Sequence, residues 1–211
     1  MVTDAGYNLS DDNSNCGFTQ ATSQKNVSNL GLASGLANNG GPTETVALEG
    51  NGRANAYIPI ASCTDQSIPP VTLATDQRGF SRPGAGHGNA CSAGAYEYYD
   101  PFFMGEGSDG NLLYHLTFTN MTFFGYYSYE FYPWLYHYDL GFEYVVDAKD
   151  GAAGVFFYDT SLGSWLYTNP TDFPYLYDFG TNLWLFYYAG TSRYFYEFGG
   201  MGRGYFFSPP S

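Results

Sequence analysis

A chain of 211 residues with 22 Tyr, 18 Phe and 3 Trp, 20 acidic residues against seven basic ones and a net charge of −13 is neither a charge-rich disordered polymer nor a helical bundle of Ala, Leu, Glu and Lys. Seven Lys and Arg make no basic patch for phosphates, which excludes nucleic acid as a partner. No stretch approaches the roughly 20 apolar residues of a membrane-spanning helix, and the length suits one or two domains.

The amino terminus, Met1-Val2-Thr3-Asp4-Ala5-Gly6, is acidic and lacks the basic and apolar regions of an export signal. The chain is therefore either cytosolic or a piece whose signal lies upstream. Its first 100 residues hold only seven aromatics and read as loop-rich. Asn, Asp, Ser and Gly cluster at 11–17 and 37–42, and Pro69-Pro70 and Arg82-Pro83-Gly84 interrupt regular structure. The predicted strands here are short runs at 43–48, 57–61 and 93–98, with no helical periodicity. So little regular structure reads as the end cap of something larger. Three cysteines, Cys16, Cys63 and Cys91, form no CxxC pair, which excludes a zinc ribbon and a thioredoxin-type site; the odd count leaves one thiol free or partnered elsewhere.

Five motifs in order resemble the choice-of-anchor Q domain: Gly6-Tyr7-Asn8-Leu9-Ser10; Asn15-Cys16-Gly17-Phe18-Thr19; residues 39–48, from Asn39-Gly40-Gly41-Pro42 to Ala47-Leu48; Ala74-Thr75-Asp76-Gln77-Arg78-Gly79 with Arg82-Pro83; and residues 91–98, from Cys91-Ser92-Ala93-Gly94 to Tyr98. The resemblance covers residues 4–99, with a departure at 50–56 where the family has a different turn. It implies the carboxy-terminal part of a bacterial right-handed parallel β-helix protein, secreted or on the cell surface, with the β-helix rungs upstream in the same polypeptide. It also implies a Cys63–Cys91 disulfide with Cys16 left to an upstream partner. Three reduced, buried thiols are the alternative.

Residues 101–112, including Gly105-Glu106-Gly107-Ser108-Asp109-Gly110-Asn111, read as a linker. Beyond it lie 34 aromatics in a repeat. An aromatic-acid step recurs as Tyr138-Asp139, Tyr158-Asp159, Tyr177-Asp178 and Tyr196-Glu197, at spacings of 20, 19 and 19. Each step precedes a Gly-bearing turn and a second aromatic run, which predicts β-hairpins of about 20 residues. Tyr132-Pro133-Trp134-Leu135-Tyr136 and Phe173-Pro174-Tyr175-Leu176-Tyr177 match at a spacing of 41, so alternate hairpins are the more alike. Residues 113–127 add one or two edge strands. In Trp184-Leu185-Phe186-Tyr187-Tyr188 both alternating faces are apolar, so the sheet is sandwiched, wound into a solenoid or small propeller, or partly exposed for a partner. This half resembles aromatic hairpin repeats at the carboxy end of large bacterial surface proteins, a family that implies no particular activity.

The reading for the whole chain is all-β: a loop-rich parallel β-helix end cap over 1–100, a linker, and a tandem antiparallel β-hairpin repeat sheet over 113–211. No catalytic constellation stands out, since His87, His115 and His137 are far apart and no nucleophile elbow or metal motif is present. No cofactor is implied; Ca²⁺ at Asp11-Asp12 or at Asp147 to Asp150 lacks EF-hand spacing, and Asp before Gly is also the ordinary turn pattern. The candidate ligand-binding residues are Trp134, Tyr136, Trp165, Tyr177 and Trp184 with Asp139, Asp159 and Asp178. Their rings would stack on sugars or hold quaternary ammonium groups, and their acids would bond hydroxyls or attract the cation. The competing reading is that they form the core of the repeat. The expected role is non-catalytic: attachment or display on a cell envelope or extracellular polysaccharide, or a carbohydrate-binding appendage of a polysaccharide-degrading enzyme.

Overall fold

The computed structural model describes residues 4–13, 17–199 and 205–207, the last three by backbone alone. Among these the protein is all-β, with two single-turn 3-10 helices and no α-helix, hence no helix able to cross a membrane. The chain divides into two compact units, Met1–Tyr99 and Asp100–Ser211.

The first unit has little sheet. β1 (Leu32–Ala37) pairs antiparallel with β2 (Thr45–Leu48), and β3 (Ile58–Pro59) with β4 (Ala90–Cys91). The sole parallel contact among the described residues is an isolated bridge, Leu9 to Gln24, so no stack of parallel rungs is present in them. The expected strand at 43–48 corresponds to β2. That at 57–61 gives two strand residues followed by the 3-10 turn Ile60–Ser62. Residues 93–98 form no strand, because other groups take their amides: Ala93 N–H donates to the Ala54 carbonyl, Glu97 N–H to the Asp76 carboxylate and Tyr98 N–H to Ser92 Oγ.

Buried carboxylates replace regular ladders as the organisers of these loops. Asp4 accepts the amides of Gly6, Thr19 and Gln20 and the Ser23 hydroxyl, and these bonds, Gln20 foremost, hold its pKa well below the usual range. Asp76 accepts from the amides of Arg78, Phe80 and Glu97 and pairs with the Arg78 guanidinium at 2.7 Å. Glu97, fully buried, receives the Gly84 and Ser92 amides. Each carboxylate satisfies several amides that a loop would otherwise leave orphaned. Apolar packing is correspondingly small: Leu48, Ala54 and Tyr98, with Leu9, Ala93 and Tyr96 against them. Cys63 and Cys91 are joined by a disulfide with Cα atoms 6.3 Å apart; Cys16 lies outside the described residues. At Gly31 and Gly52 the two backbones cross so closely that a Cβ on either would strike the other.

The second unit is one eleven-stranded sheet in which every strand pairs antiparallel with its chain neighbour. The strands are β5 (Gly107–Gly110), β6 (Leu113–Thr117), β7 (Phe123–Ser128), β8 (Trp134–His137), β9 (Gly141–Asp147), β10 (Val155–Asp159), β11 (Ser164–Thr168), β12 (Tyr175–Asp178), β13 (Leu183–Tyr188), β14 (Tyr194–Glu197) and β15 (Tyr205–Phe207). The repeated hairpins are β8–β9, β10–β11, β12–β13 and β14–β15, and equivalent aromatics sit in equivalent register, Tyr158 opposite Trp165 and Tyr177 opposite Trp184.

Alternation divides this sheet into two different apolar faces. Leu135, Val155, Phe157, Leu166, Leu176, Leu185, Tyr187 and Phe195 are buried, whereas the residues between them, such as Tyr144, Tyr158, Trp165, Tyr177, Trp184 and Phe186, are nearly all aromatic and partly exposed. The buried face is concave. His137 on β8 and Tyr187 on β13 are five strands apart, about 24 Å in a flat sheet, yet their rings lie 6.4 Å apart. Phe124 on β7 likewise stacks at 5.9 Å on Phe157 of β10. The sheet is therefore rolled around its buried face and turns the partly exposed aromatic face outward.

Residues 101–112 are not a linker. Asp100 caps the 3-10 turn Pro101–Phe103 by accepting the Phe102 amide, and β5 follows as the edge strand. Phe102 and Phe103, each 1% exposed, plug the roll. Phe102 meets Phe118, Phe124 and Phe157 edge to face at 5.1–5.5 Å. Phe102→Ala should lower stability by about 3–5 kcal/mol, the usual loss for emptying such a site; urea unfolding followed by tryptophan emission measures it, and a loss below about 1 kcal/mol would show that the ring does not fill the roll.

Candidate functional site

The acids of the repeat are turn caps. Asp159 Oδ1 accepts the Ser161 and Leu162 amides, both at 2.9 Å, and Asp178 Oδ1 accepts the Gly180 amide and the Ser164 hydroxyl. His137 holds the same place one hairpin earlier: its Nδ1 accepts the Asp139 and Leu140 amides while Nε2–H donates to the Phe124 carbonyl at 3.1 Å. These bonds fix a neutral Nε2–H tautomer. Gly125, which carries φ 140°, faces this ring, and a Cβ there would collide with it.

Burial, only partly offset by the Phe124 carbonyl and the Asp139 charge, lowers the His137 pKa to about 4, and nearby Arg193 adds to the shift. A base depressed in the fold contributes stability that is complete above its unfolded value of 6.5 and is lost as pH falls toward 4. The difference in stability between wild type and His137→Gln should accordingly shrink by about 3 kcal/mol from pH 7 to pH 4. Referencing to the variant removes the opposite trend of Asp100, which burial pushes up to about 7, and of Glu143. A pH-independent difference would show that His137 is not buried neutral.

Behind these caps lies a buried ionic cluster. The β13–β14 turn places Ser192 and Arg193 in left-handed conformation (φ 56° and 66°), sending the Arg193 side chain into the end of the roll. Arg193 Nη2 bridges both Asp159 oxygens at 2.8 and 2.7 Å. The Glu143 carboxyl is buried beside them; burial first, then the Asp159 charge and a side-chain hydrogen bond with Asp159, raise its pKa well above the usual carboxylate value. Asp139 completes the closure by accepting the Tyr187 hydroxyl and the Gly190 and Ser192 amides.

The nominated residues are thus separated. Asp159 and Asp178 lie on the buried face, bonded to turn amides, and are not ligand acids. Trp134, Tyr136, Trp165, Tyr177 and Trp184 lie on the outer face, where edge-to-face contacts join them into bands: Trp134 to Tyr144 at 5.3 Å, Tyr144 to Trp165 at 6.3 Å and Trp165 to Tyr158 at 5.4 Å. They are neither the core of the repeat nor one compact site.

Two clefts open along this face. The first, about 480 Å³, is lined by Tyr136, Tyr138, Asp139, Phe142, Thr160, Ser161, Ser192 and Arg193, among others. It joins two nominated residues, Tyr136 and Asp139, with Tyr138, which is 62% exposed and whose ring is braced by Tyr136 at 5.5 Å. The second, about 470 Å³, is lined by Asp172, Tyr175, Trp184 and Phe198, of which only Trp184 was foreseen. Asp172 escaped notice because it precedes the strand instead of following it, and the pairing of β12, β13 and β14 alone brings it near Phe198.

No alternative chemistry assembles elsewhere in the described residues. His115 pairs with Asp109 at 2.6 Å on the exposed edge hairpin, and His87 is buried beside Tyr98. Among the described residues no group of three or more His, Cys, Asp or Glu is placed to hold a metal. Of the acids considered for Ca²⁺, Asp147 accepts the Lys149 amide and Asp150 the Ala152 and Gly154 amides and the Tyr167 hydroxyl, as in ordinary turns. Compared with family models, curated proteins and solved structures, the chain shows no significant match to any of them.

Proposed function

We propose that this chain is a non-catalytic attachment module of a secreted or cell-surface bacterial protein, which holds cell-envelope or extracellular polysaccharide on the aromatic outer face of its rolled sheet. One observation carries the reading: the cleft at Tyr138 sets an exposed ring beside hydroxyls of Thr160, Ser161 and Ser192. A sugar ring stacks its C–H face on such a ring while its hydroxyls bond the polar wall. The Cys63–Cys91 disulfide supports an oxidising, extracellular compartment. The resemblance of residues 4–99 to the choice-of-anchor Q domain supports a β-helix upstream in the same polypeptide, with the first unit as its end cap. The polar cleft equally serves a carbohydrate-binding appendage of a polysaccharide-degrading enzyme, where catalysis would belong to that upstream part.

The test is binding of the full chain to peptidoglycan, whole cells and a polysaccharide array, with Tyr138→Ala as the control. Binding that falls about tenfold or more in the variant is the expected result. Failure to bind any of these surfaces, or binding indifferent to Tyr138, would refute the proposal.

A further inference from the structure

We propose that the cleft formed by Trp184, Tyr175 and Phe198, with Asp172 at its rim, is a binding site for a quaternary ammonium group. It is separate from the polar cleft at Tyr138 and does not rest on the carbohydrate reading. Tyr175 and Phe198 form one wall, their rings 6.0 Å apart and tilted by 35°. Trp184 forms the other: it is braced edge to face by Tyr177 at 5.4 Å and makes no ring contact with Tyr175 or Phe198, so the cleft of about 470 Å³ lies between the walls. The three rings are 39–43% exposed and can be covered by a ligand without rearrangement.

The acid is positioned in advance. Asn169, 8% exposed, accepts the Thr171 and Asp172 amides through Oδ1 and donates from Nδ2 to Asp172 Oδ2 at 2.6 Å. That leaves Asp172 Oδ1 without a hydrogen-bond partner among the described residues. Among the described residues the cleft offers three ring surfaces and a single negative charge, and this composition selects among ligand classes. A sugar needs several hydrogen-bonding groups, and among the described residues of the lining only Asp172 is not an aromatic residue. A primary ammonium is strongly hydrated and carries three N–H donors, of which one carboxylate satisfies only part. A neutral apolar group would desolvate the carboxylate without compensation. A quaternary ammonium has no N–H to satisfy, gives up its hydration easily, spreads its charge over methyl groups that pack on ring faces, and is attracted by both ring quadrupoles and carboxylate.

Calorimetric or NMR titration of the full chain with choline chloride and with its neutral isostere 3,3-dimethylbutan-1-ol tests this directly. The expected result is that choline binds at least about tenfold more tightly than the isostere, that Trp184→Ala weakens choline about tenfold or more, and that Asp172→Asn weakens it by a smaller factor. Phe198→Ala serves as a second variant should the Trp184 change disturb folding, which a thermal melt reveals. Vesicles of phosphatidylcholine and of phosphatidylethanolamine separate the possible sources. Trp184-dependent capture by the former alone assigns a lipid headgroup, and binding of soluble choline without capture assigns a free or polymer-borne group. Equal binding of choline and isostere, no response to choline, or binding indifferent to both Trp184 and Phe198 overturns the proposal.

Discussion

Arg193→Met is expected to destabilise the second unit by about 3–5 kcal/mol, because it strands the buried Asp159 carboxylate inside the roll beside Glu143, whose pKa burial raises. The side chains of Arg193 and Asp159 are 5% and 0% exposed, so water cannot take over the missing bonds. The coulombic attraction of the pair is not the source of the loss, since its desolvation cost is comparable; the loss is the unpaired charge that remains. A second change separates these contributions. When Arg193→Met is combined with Asp159→Asn, the side-chain amide that replaces the carboxylate still accepts the Ser161 and Leu162 N–H groups but carries no charge, so at least half the stability should return. Urea unfolding followed by tryptophan emission reports the second unit alone, because Trp134, Trp165 and Trp184 all lie beyond residue 100. Equal destabilisation of the single and double variants would show that Arg193 acts by packing and not as a counter-charge.

The second large effect belongs to the first unit. Cys63 and Cys91 are 28 residues apart, and closing a loop of that size restricts the unfolded chain by about 3.5 kcal/mol. Against a domain stability of about 5–15 kcal/mol this is a major share, and the apolar cluster around Leu48, Ala54 and Tyr98 is too small to replace it. Cys63→Ala with Cys91→Ala should therefore accelerate amide exchange across residues 29–98 by two to three powers of ten, about 3–4 kcal/mol, while leaving the tryptophan transition of the second unit in place. Unchanged exchange would show that the carboxylate-centred loops suffice without the crosslink.

The hairpins were legible in the sequence because their signals are local. An acid, a Gly-bearing turn and an aromatic run recur within 20 residues, and the structure pairs Tyr158 with Trp165 and Tyr177 with Trp184 on that basis. Which face points inward was not legible. Trp184-Leu185-Phe186-Tyr187-Tyr188 is apolar at every position, and residue type does not decide the outcome: Leu185 and Tyr187 are buried inside the roll, while Trp184, Phe186 and Tyr188 face outward, Phe186 edge to face with Tyr188. The acids were misread for a related reason. Asp159 and Asp178 stand next to tyrosines in sequence, but within β10 and β12 adjacent residues face opposite ways, so neither carboxylate shares a face with the tyrosine beside it. Asp ahead of a Gly-containing turn was the available signal of a cap. The supposed linker failed on its apolar pair: Phe102-Phe103 follows an Asp-Pro step that looks like a break and acts as a helical cap.

Because strand order in the rolled sheet is the same as chain order, each ladder closes over only the few residues of its own turn. Loop closure of that kind costs little entropy, so the sheet can lengthen strand by strand from any hairpin. The contacts that draw the roll shut, Arg193 to Asp159 and Tyr187 to Asp139, span 34 and 48 residues and form only after the intervening strands are paired. In folding speed such a β-protein belongs nearer to helical bundles, whose contacts are local, than to sandwiches whose strands must find distant partners.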